Sequence, residues 1–417
     1  MVYSIDIAAF LQYCIAIFLL ELYDNYWGKI MGRCTRAVLF KNNLKFNLEQ
    51  IRKFVEPQTK ICIAVKADGY GHNALLTAKL AHETGGIDYF AVARPDEGFE
   101  LRNAGFEEHI LLLSPCVPED FESLFEYKIT PLVFGEEYIS LMAQAAKKVY
   151  GNSDKKADVF LAVDTGMGRI GCYPEEVGVQ AKMIADSGVL NQAGTISHFA
   201  VSDSLSKENQ EFTKKQFEAF KLAVENIKKQ GLTPGICSCS ASAALLNNTD
   251  MHFDMVRPGI ITYGYYPDEI TESYLKSVKK DFEVKPVMAL ETQVVAIRHF
   301  PKGKSVSYGR TWTAPEDTDI AVLPIGYADG LLRRFSPGLE VTINGKKYPV
   351  VGRICMDQCM VNIGKNNKNV KLFDKVLIFG PKESGALTTA EDLAKIGKTI
   401  SYEIFTSISK RVERVVK

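Results

Sequence analysis

Residues 61–73 read ICIAVKADGYGHN, and residues 73–84 continue as NALLTAKLAHET. The opening five residues form a short apolar run, the pattern of a strand buried on both faces. The continuation repeats apolar residues at helical spacing, so the two together make one βα unit. The same short runs recur at YFAVA (89–93), ILLL (110–113), TPLVF (130–134) and VFLAV (159–163). They continue at AGTIS (193–197), GICSC (235–239) and MVRPGIITYG (255–264). Helical stretches separate several of them. In TKKQFEAFKLAVENIKKQG (213–231), Phe217, Phe220, Leu222, Ala223 and Ile227 form the apolar set, lysines close the pattern, and Gly231 stops it. Eight short buried strands alternating with helices fit a parallel (β/α)₈ TIM-type barrel better than a doubly wound sheet.

After about residue 275 the texture changes. ALETQVVAIRHF, DIAVLPIG, LEVTINGKKYPVVG and KVLIFG are separated by glycine, proline and Asn-Gly turns. Asn344-Gly345 predicts a type I′ hairpin, because that turn needs positive φ at both central residues. The expected organisation is an extension over 1–30, a barrel over 31–278 and a mainly antiparallel β domain over 279–417. Within the extension, Ile7 to Leu20 is apolar except for Gln12, too short to span a bilayer. A signal peptide needs positive charge before such a run, yet the first basic residue is Lys29. Three readings stay open there: a surface amphipathic helix, a weak anchor, or sequence upstream of a start at Met31.

The 417 residues carry 50 basic and 50 acidic side chains, which argues against a nucleic-acid partner or a membrane surface. Nine cysteines without paired CxxC motifs read as reduced thiols in a cytoplasmic protein. Cys355 and Cys359 have no further close ligands, so no metal site is expected.

The chemistry clusters where strands end, the barrel face that carries active sites. Lys66 follows the first run directly and is placed for Schiff-base chemistry. Beside it, Tyr70 in a glycine-rich loop could offer a hydroxyl to a phosphate. DTGMGRIG (164–171) contains a literal GxGxxG, but it follows the fifth run and lacks the acidic partner of a dinucleotide site. Its glycines are read instead as letting Arg169 approach a ligand oxygen. His198 ends the sixth run as a candidate to stack on an aromatic ligand. The last two runs give Ser242, just beyond 235–239, and the backbone N–H groups of Gly259 and Ile260, within 255–264; loops after the seventh and eighth strands are the usual barrel phosphate site. Arg257 sits deeper, where it could reach a heteroaromatic nitrogen.

From about Met31 onward the chain resembles the alanine racemase family. The motifs that carry the resemblance are AVKADGYGHN (64–73), DTGMGRIG (164–171), SHFA (197–200) and MVRPGI (255–260). SVSYGRTWTA (305–314), PIGYADGLLRR (324–334), VGRICMDQ (351–358) and TISYEI (399–404) continue them in family order. The resemblance implies pyridoxal 5′-phosphate as cofactor, linked through Lys66, with His198 against the ring and Arg257 on its nitrogen. It implies Arg169 at the cofactor phenolate and the substrate carboxylate, Met356 near that carboxylate, and phosphate contacts from Tyr70, Ser242, Gly259, Ile260 and Tyr402. It also implies a homodimer in which Tyr308 reaches the neighbouring subunit's site.

Racemisation removes the Cα proton from one face and returns one to the other, which requires two acid–base groups and an electron sink. Lys66 is the expected base on one face and Tyr308 on the other. A phenol serves as a base near neutrality only beside cationic or hydrogen-bonding neighbours, which a chain through His198 to Arg257 could supply. Guanidinium only donates, so Arg257 would keep the ring nitrogen unprotonated and the electron sink moderate. Two positions depart from the family pattern. Ala162 stands where many relatives have a carbamylated lysine that orients the arginine, and Ala241 replaces an asparagine. The expected function is alanine racemisation, supplying D-alanine for peptidoglycan. The alternatives are a racemase of broader scope, acting on serine or lysine, and a non-catalytic pyridoxal-phosphate-binding protein.

Overall fold

The structure, a computed structural model, describes residues 34–417 apart from residue 152. The expected 1–30 extension therefore lies outside the described residues. The chain forms two compact units. The larger holds Leu39–Ala289, Gly380–Ile408 and Val416–Lys417, and the smaller holds Leu290–Phe379 and Ser409–Val415 together with the described residues up to Val38.

Strand β1 (Arg36–Leu39) precedes the barrel. The barrel strands are β2 (Lys60–Ala64), β3 (Tyr89–Val92), β4 (His109–Leu112), β5 (Ile129–Val133), β6 (Ala157–Ala162), β7 (Leu190–Ile196), β8 (Ile236–Ser238) and β9 (Met255–Val256). They coincide with the eight apolar runs and lie in the order β8-β7-β6-β5-β4-β3-β2-β9, all ladders parallel. A parallel bridge between Ala241 and Arg257 links the chain just beyond β8 and β9 and nearly closes the ring. The two-residue repeat of a strand divides its side chains between two cores. Cys62, Ala64, Tyr89, Ala91, Leu111, Leu132, Phe160 and Ala162 fill the interior. Val159, Leu161 and Val163 face the other way and pack with Ile139, Met142, Phe220 and Ile227 beneath the helices. Gly194 makes room for the interior ring of Phe160, since a Cβ there would lie 2.3 Å from its edge.

The helix foreseen at 213–231 runs from Lys207 to Lys229, started by Ser206, whose side chain accepts the Asn209 N–H. Phe220, Ala223, Val224 and Ile227 are buried on one stripe, whereas Leu222 is exposed, a correction to the predicted apolar set. At about 100° per residue, position 222 turns away from the stripe formed by 220, 223 and 227.

In the smaller unit an antiparallel arrangement replaces the βα rhythm. Its strands are β10 (Met288–Gln293), β11 (Ala296–Phe300), β12 (Ser305–Val306), β13 (Trp312–Thr313), β14 (Thr318–Leu323), β15 (Glu340–Ile343), β16 (Lys346–Val351), β17 (Cys359–Gly364), β18 (Lys375–Phe379) and β19 (Glu413–Val416). One sheet has the order β11-β14-β17-β16-β15-β18-β10-β1-β19, and β12 and β13 form a separate small hairpin. Between β15 and β16 the turn residues Asn344 and Gly345 have φ of 48° and 75°, the two positive angles of the foreseen type I′ turn.

Candidate active site

At the C-terminal ends of the barrel strands lies a cavity of about 670 Å³, within the size range of small-molecule sites. Nine of the sequence-derived candidates line it: Lys66, Tyr70, Arg169, His198, Ser242, Arg257, Gly259, Ile260 and Tyr402. Tyr402 arrives on the helix Ser401–Ser407, which belongs to the larger unit.

Lys66 begins an unusual turn. Ala67, Asp68, Gly69 and Tyr70 have φ of 52°, 53°, 61° and 51°, a run of left-handed residues that L side chains normally avoid. Surrounding bonds hold it in place. The Glu97 carboxylate accepts the N–H groups of Ala67 and Ala93 at 2.6 and 2.8 Å, and Asp68 accepts that of Ala74 at 2.9 Å. On the other side Gly71 fits against Phe405, where a Cβ would approach the carbonyl oxygen to 2.3 Å. Burial lowers the Lys66 pKa, Arg169 lowers it further, and Glu97 opposes the shift. The amine therefore gives up its proton more readily than that of a solvated lysine.

Tyr70 stacks on Tyr263 with ring centroids 5.1 Å apart and lies 5.8 Å from the Tyr402 ring. Desolvation pushes the Tyr70 hydroxyl up to about 12 and raises that of Tyr402 as well, so both remain hydrogen-bond donors at neutral pH. Gly259 is where the wall tightens. Its N–H donates to Ser242 Oγ at 2.9 Å, and a Cβ on it would stand 2.7 Å from Tyr70 Oη. Two hydroxyls, those of Ser242 and Tyr70, thus stand at one bare backbone position, a cradle shaped for an anion, while the Gly259 N–H expected to serve that anion is already bonded to Ser242. Ala241 leaves the helix Ser242–Asn247 without a side-chain cap, consistent with the absent asparagine.

Arg257 is buried on the cavity floor. Its guanidinium donates to Ser238 Oγ at 2.5 Å and to the Ser197 carbonyl at 2.6 Å. A longer contact of 3.4 Å reaches His198 Nδ1. Because arginine can only donate, Nδ1 is the acceptor and the imidazole proton sits on Nε2. Burial pulls the His198 pKa down to about 3, and Arg257, Arg169 and Lys66 reinforce the shift, so the ring is neutral at physiological pH. Desolvation also lowers the Arg257 pKa, and among the described residues no carboxylate compensates the buried charge. A destabilising arrangement of this kind is characteristic of functional sites.

The glycine loop after β6 closes on its own aspartate. Asp164 Oδ1 accepts the N–H groups of Gly166 and Gly168 at 2.9 and 3.1 Å, and both glycines have positive φ. Those amides are already bonded to a carboxylate rather than turned to a pyrophosphate. Arg169 extends from this loop, exposed, with no hydrogen bond or ion pair to any described residue. Ala162 lines the wall without offering it a partner. The motifs gave no sign of Asp203, which also lines the cavity and whose pKa is raised by burial and by Asp268 and Glu269.

Tyr308 and Met356 belong to the smaller unit, 66% and 52% exposed. They are neighbours there through Ser307, whose Oγ donates to the Arg353 carbonyl at 2.6 Å and lies 3.5 Å from Cys355 Sγ, one residue before Met356. Among the described residues no cluster suited to a metal ion occurs, no helix is long and apolar enough to cross a membrane, and eight cysteines are free thiols.

These features define a class: a parallel (β/α)₈ barrel with an amine-bearing strand end facing an anion cradle, followed by an antiparallel β unit. Comparison with known proteins makes it specific. Residues 41–267 match the model of the alanine racemase N-terminal domain, and residues 287–416 match that of the C-terminal domain. An alanine racemase of Treponema denticola is 46% identical over 385 residues, covering 92% of this chain and 98% of the relative. Among solved structures, alanine racemase of Clostridium difficile 630 superposes with a TM-score of 0.83 at 37% identity, covering 93% of this chain and 96% of its own. The Bacillus anthracis enzyme with bound L-Ala-P gives a TM-score of 0.83 at 32% identity, covering 92% and 95%. The chain belongs to the alanine racemase family.

Proposed function

We propose that this protein is an alanine racemase that interconverts L- and D-alanine with pyridoxal 5′-phosphate as its cofactor. The observation that carries the reading is one cavity in which the Lys66 amine, a buried imidazole–guanidinium pair and a close-fitting anion cradle meet. A phosphorylated pyridine aldehyde fits those parts. Its phosphate matches the bare backbone at Gly259, the Ile260 N–H, Ser242 and the protonated hydroxyls of Tyr70 and Tyr402. When bound, the cofactor supplies the electron sink that acidifies the substrate Cα–H.

The chain's own residues do the rest. Lys66, whose amine gives up its proton more readily than that of a surface lysine, would hold the cofactor through its aldehyde carbon; once the substrate amine displaced it there, the freed Nζ would carry the proton on one face of Cα. Arg257 would face the ring nitrogen as a donor that cannot surrender its proton, which would leave that nitrogen neutral and moderate the electron pull. Arg169, which bonds no described residue, would take the cofactor's phenolate oxygen and the substrate carboxylate. Tyr308 serves the opposite face. Its exposure on the smaller unit fits action in the site of a second copy, with Met356 against the carboxylate, and supports a homodimer with shared sites. Neutral His198 presents Nε2–H, which can donate to a tyrosinate and relay the Arg257 charge to it.

Tyr402 lines the cavity, and Met356 from a second copy would narrow it further, which favours alanine over serine or lysine. The D-alanine product supplies peptidoglycan synthesis, and the eight free thiols among the described residues suit the reducing cytoplasm. Chiral separation after incubation with pyridoxal phosphate and L-alanine, L-serine or L-lysine tests the reading. D-alanine should form fastest, and not at all with Lys66→Ala. Faster turnover of serine or lysine would point to the broader racemase, and cofactor binding without any D-product to a non-catalytic binding protein.

A further inference from the structure

Tyr308 hangs from a residue with an improbable backbone. Ser307 has φ 65° and ψ −177°, a region occupied almost only by glycine. The residues around it are built to hold it there. Val306, one residue before, is buried against Phe300, Ile320 and Val351, and pairs with Trp312 across the small hairpin. The next residues Gly309 and Arg310 also have positive φ, 69° and 51°. Ser307 Oγ donates to the Arg353 carbonyl at 2.6 Å. The approach is so close that a Cβ on Gly352 would lie 2.8 Å from Ser307 Cβ. From its far side the same 353–356 strip is gripped again, by Tyr327 N–H on the Cys355 carbonyl and Ala328 N–H on that of Met356, both at 3.0 Å.

We infer that Ser307 is a positioning residue for the reaction, its hydroxyl hooking the Tyr308 turn onto the strip that carries Met356. A glycine would adopt this backbone without strain, and only the hydroxyl distinguishes serine in making the bond to Arg353. The hook sets the height of the Tyr308 phenol relative to Met356, and hence its reach to one face of Cα. The inference rests on Tyr308 being the second base.

Two-base chemistry gives a readout that general damage does not imitate. When the Tyr308 side is slow, the enantiomer whose proton Lys66 removes loses its Cα–H to Nζ and regains a solvent deuteron on the same face. It exchanges without inverting. Ser307→Gly removes the hydroxyl while relieving the backbone, so loss of folding does not account for its effects; Ser307→Ala removes the hydroxyl and keeps the strain. In D₂O with pyridoxal phosphate, both variants should lower kcat by about ten- to a hundredfold, the scale of a misplaced catalytic group. Both should raise the ratio of Cα exchange to racemisation for one enantiomer only, the same one as in Tyr308→Phe. Amide exchange over residues 307–311 of the cofactor-free protein should quicken in Ser307→Gly. If Tyr308→Phe raises the ratio and Ser307→Gly does not, Ser307 is not a positioning residue. If Tyr308→Phe leaves the ratio unchanged, the assignment of the second base fails, and this inference with it.

Discussion

Replacing Gly259 with alanine should weaken the cofactor without unfolding the barrel. The new Cβ would stand 2.7 Å from Tyr70 Oη and 3.4 Å from two ring carbons of the same tyrosine. Ordinary contact requires the hydroxyl to retreat by about 0.7 Å, and the ring is hemmed in by Tyr263 and Tyr402 at centroid distances of 5.1 and 5.8 Å. The hydroxyl would therefore leave the place from which it would donate to the phosphate. A bond to a charged group is worth about 1.5–3 kcal/mol, so cofactor affinity should fall by roughly ten- to a hundred-and-fiftyfold. Titrating the apoprotein with pyridoxal phosphate and following near-ultraviolet absorbance measures this. Tyr70→Phe, which loses the same donor without a clash, should show a comparable fall. Unchanged affinity in Gly259→Ala would refute the cradle.

Three further expectations follow from the larger unit. Ala67→Gly should leave stability unchanged or raise it by up to about 1 kcal/mol in urea melts, because the left-handed residue loses its steric cost while the unfolded chain gains freedom; a loss beyond about 1 kcal/mol would contradict a left-handed turn. His198 titrates near 3 when folded and near 6.5 when unfolded, so the unfolded chain binds the extra proton in that window. Stability through His198 is thus complete above pH 6.5 and drains away as pH falls toward 3, with a slope approaching about 1.4 kcal/mol per pH unit. His198→Asn should flatten that slope in melts across the range, and an unaltered slope would show that the imidazole is not buried neutral. Phe160→Ala, which empties the middle of the barrel, should cost about 3–5 kcal/mol in equilibrium unfolding; a cost below about 1 kcal/mol would mean that the interior collapses around the gap.

Much of the barrel and its site is legible in the amino-acid sequence. Strands buried on both faces read as unbroken apolar runs, so even the two-residue strand Met255–Val256 announces itself through MVRPGI. Loops that begin where a strand ends carry Lys66, Arg169, His198, Ser242 and Arg257 to one face, because a parallel barrel points every strand end the same way. Other features have no local signature. Ala67, Asp68 and Tyr70 adopt left-handed angles that nothing in their side chains requests, and tertiary contacts to Glu97 and Phe405 impose them. Residues Gly380–Ile408 join the larger unit through the return of the chain, which periodicity does not encode. Asp203 acquires its raised pKa from burial and from Asp268 and Glu269, far along the sequence. Leu222 shows the reverse error, an apolar residue counted toward a core that helix geometry turns it away from.

The most direct test of the account mixes two dead enzymes. Lys66→Ala lacks one base and Tyr308→Phe the other. If Tyr308 completes the neighbouring subunit's site, each mixed dimer contains one fully intact site, and random reassociation should restore about a quarter of wild-type alanine racemisation. If both bases served the same subunit, every site in the mixture would lack one of them. A mixture as inactive as its components would contradict the shared two-base site.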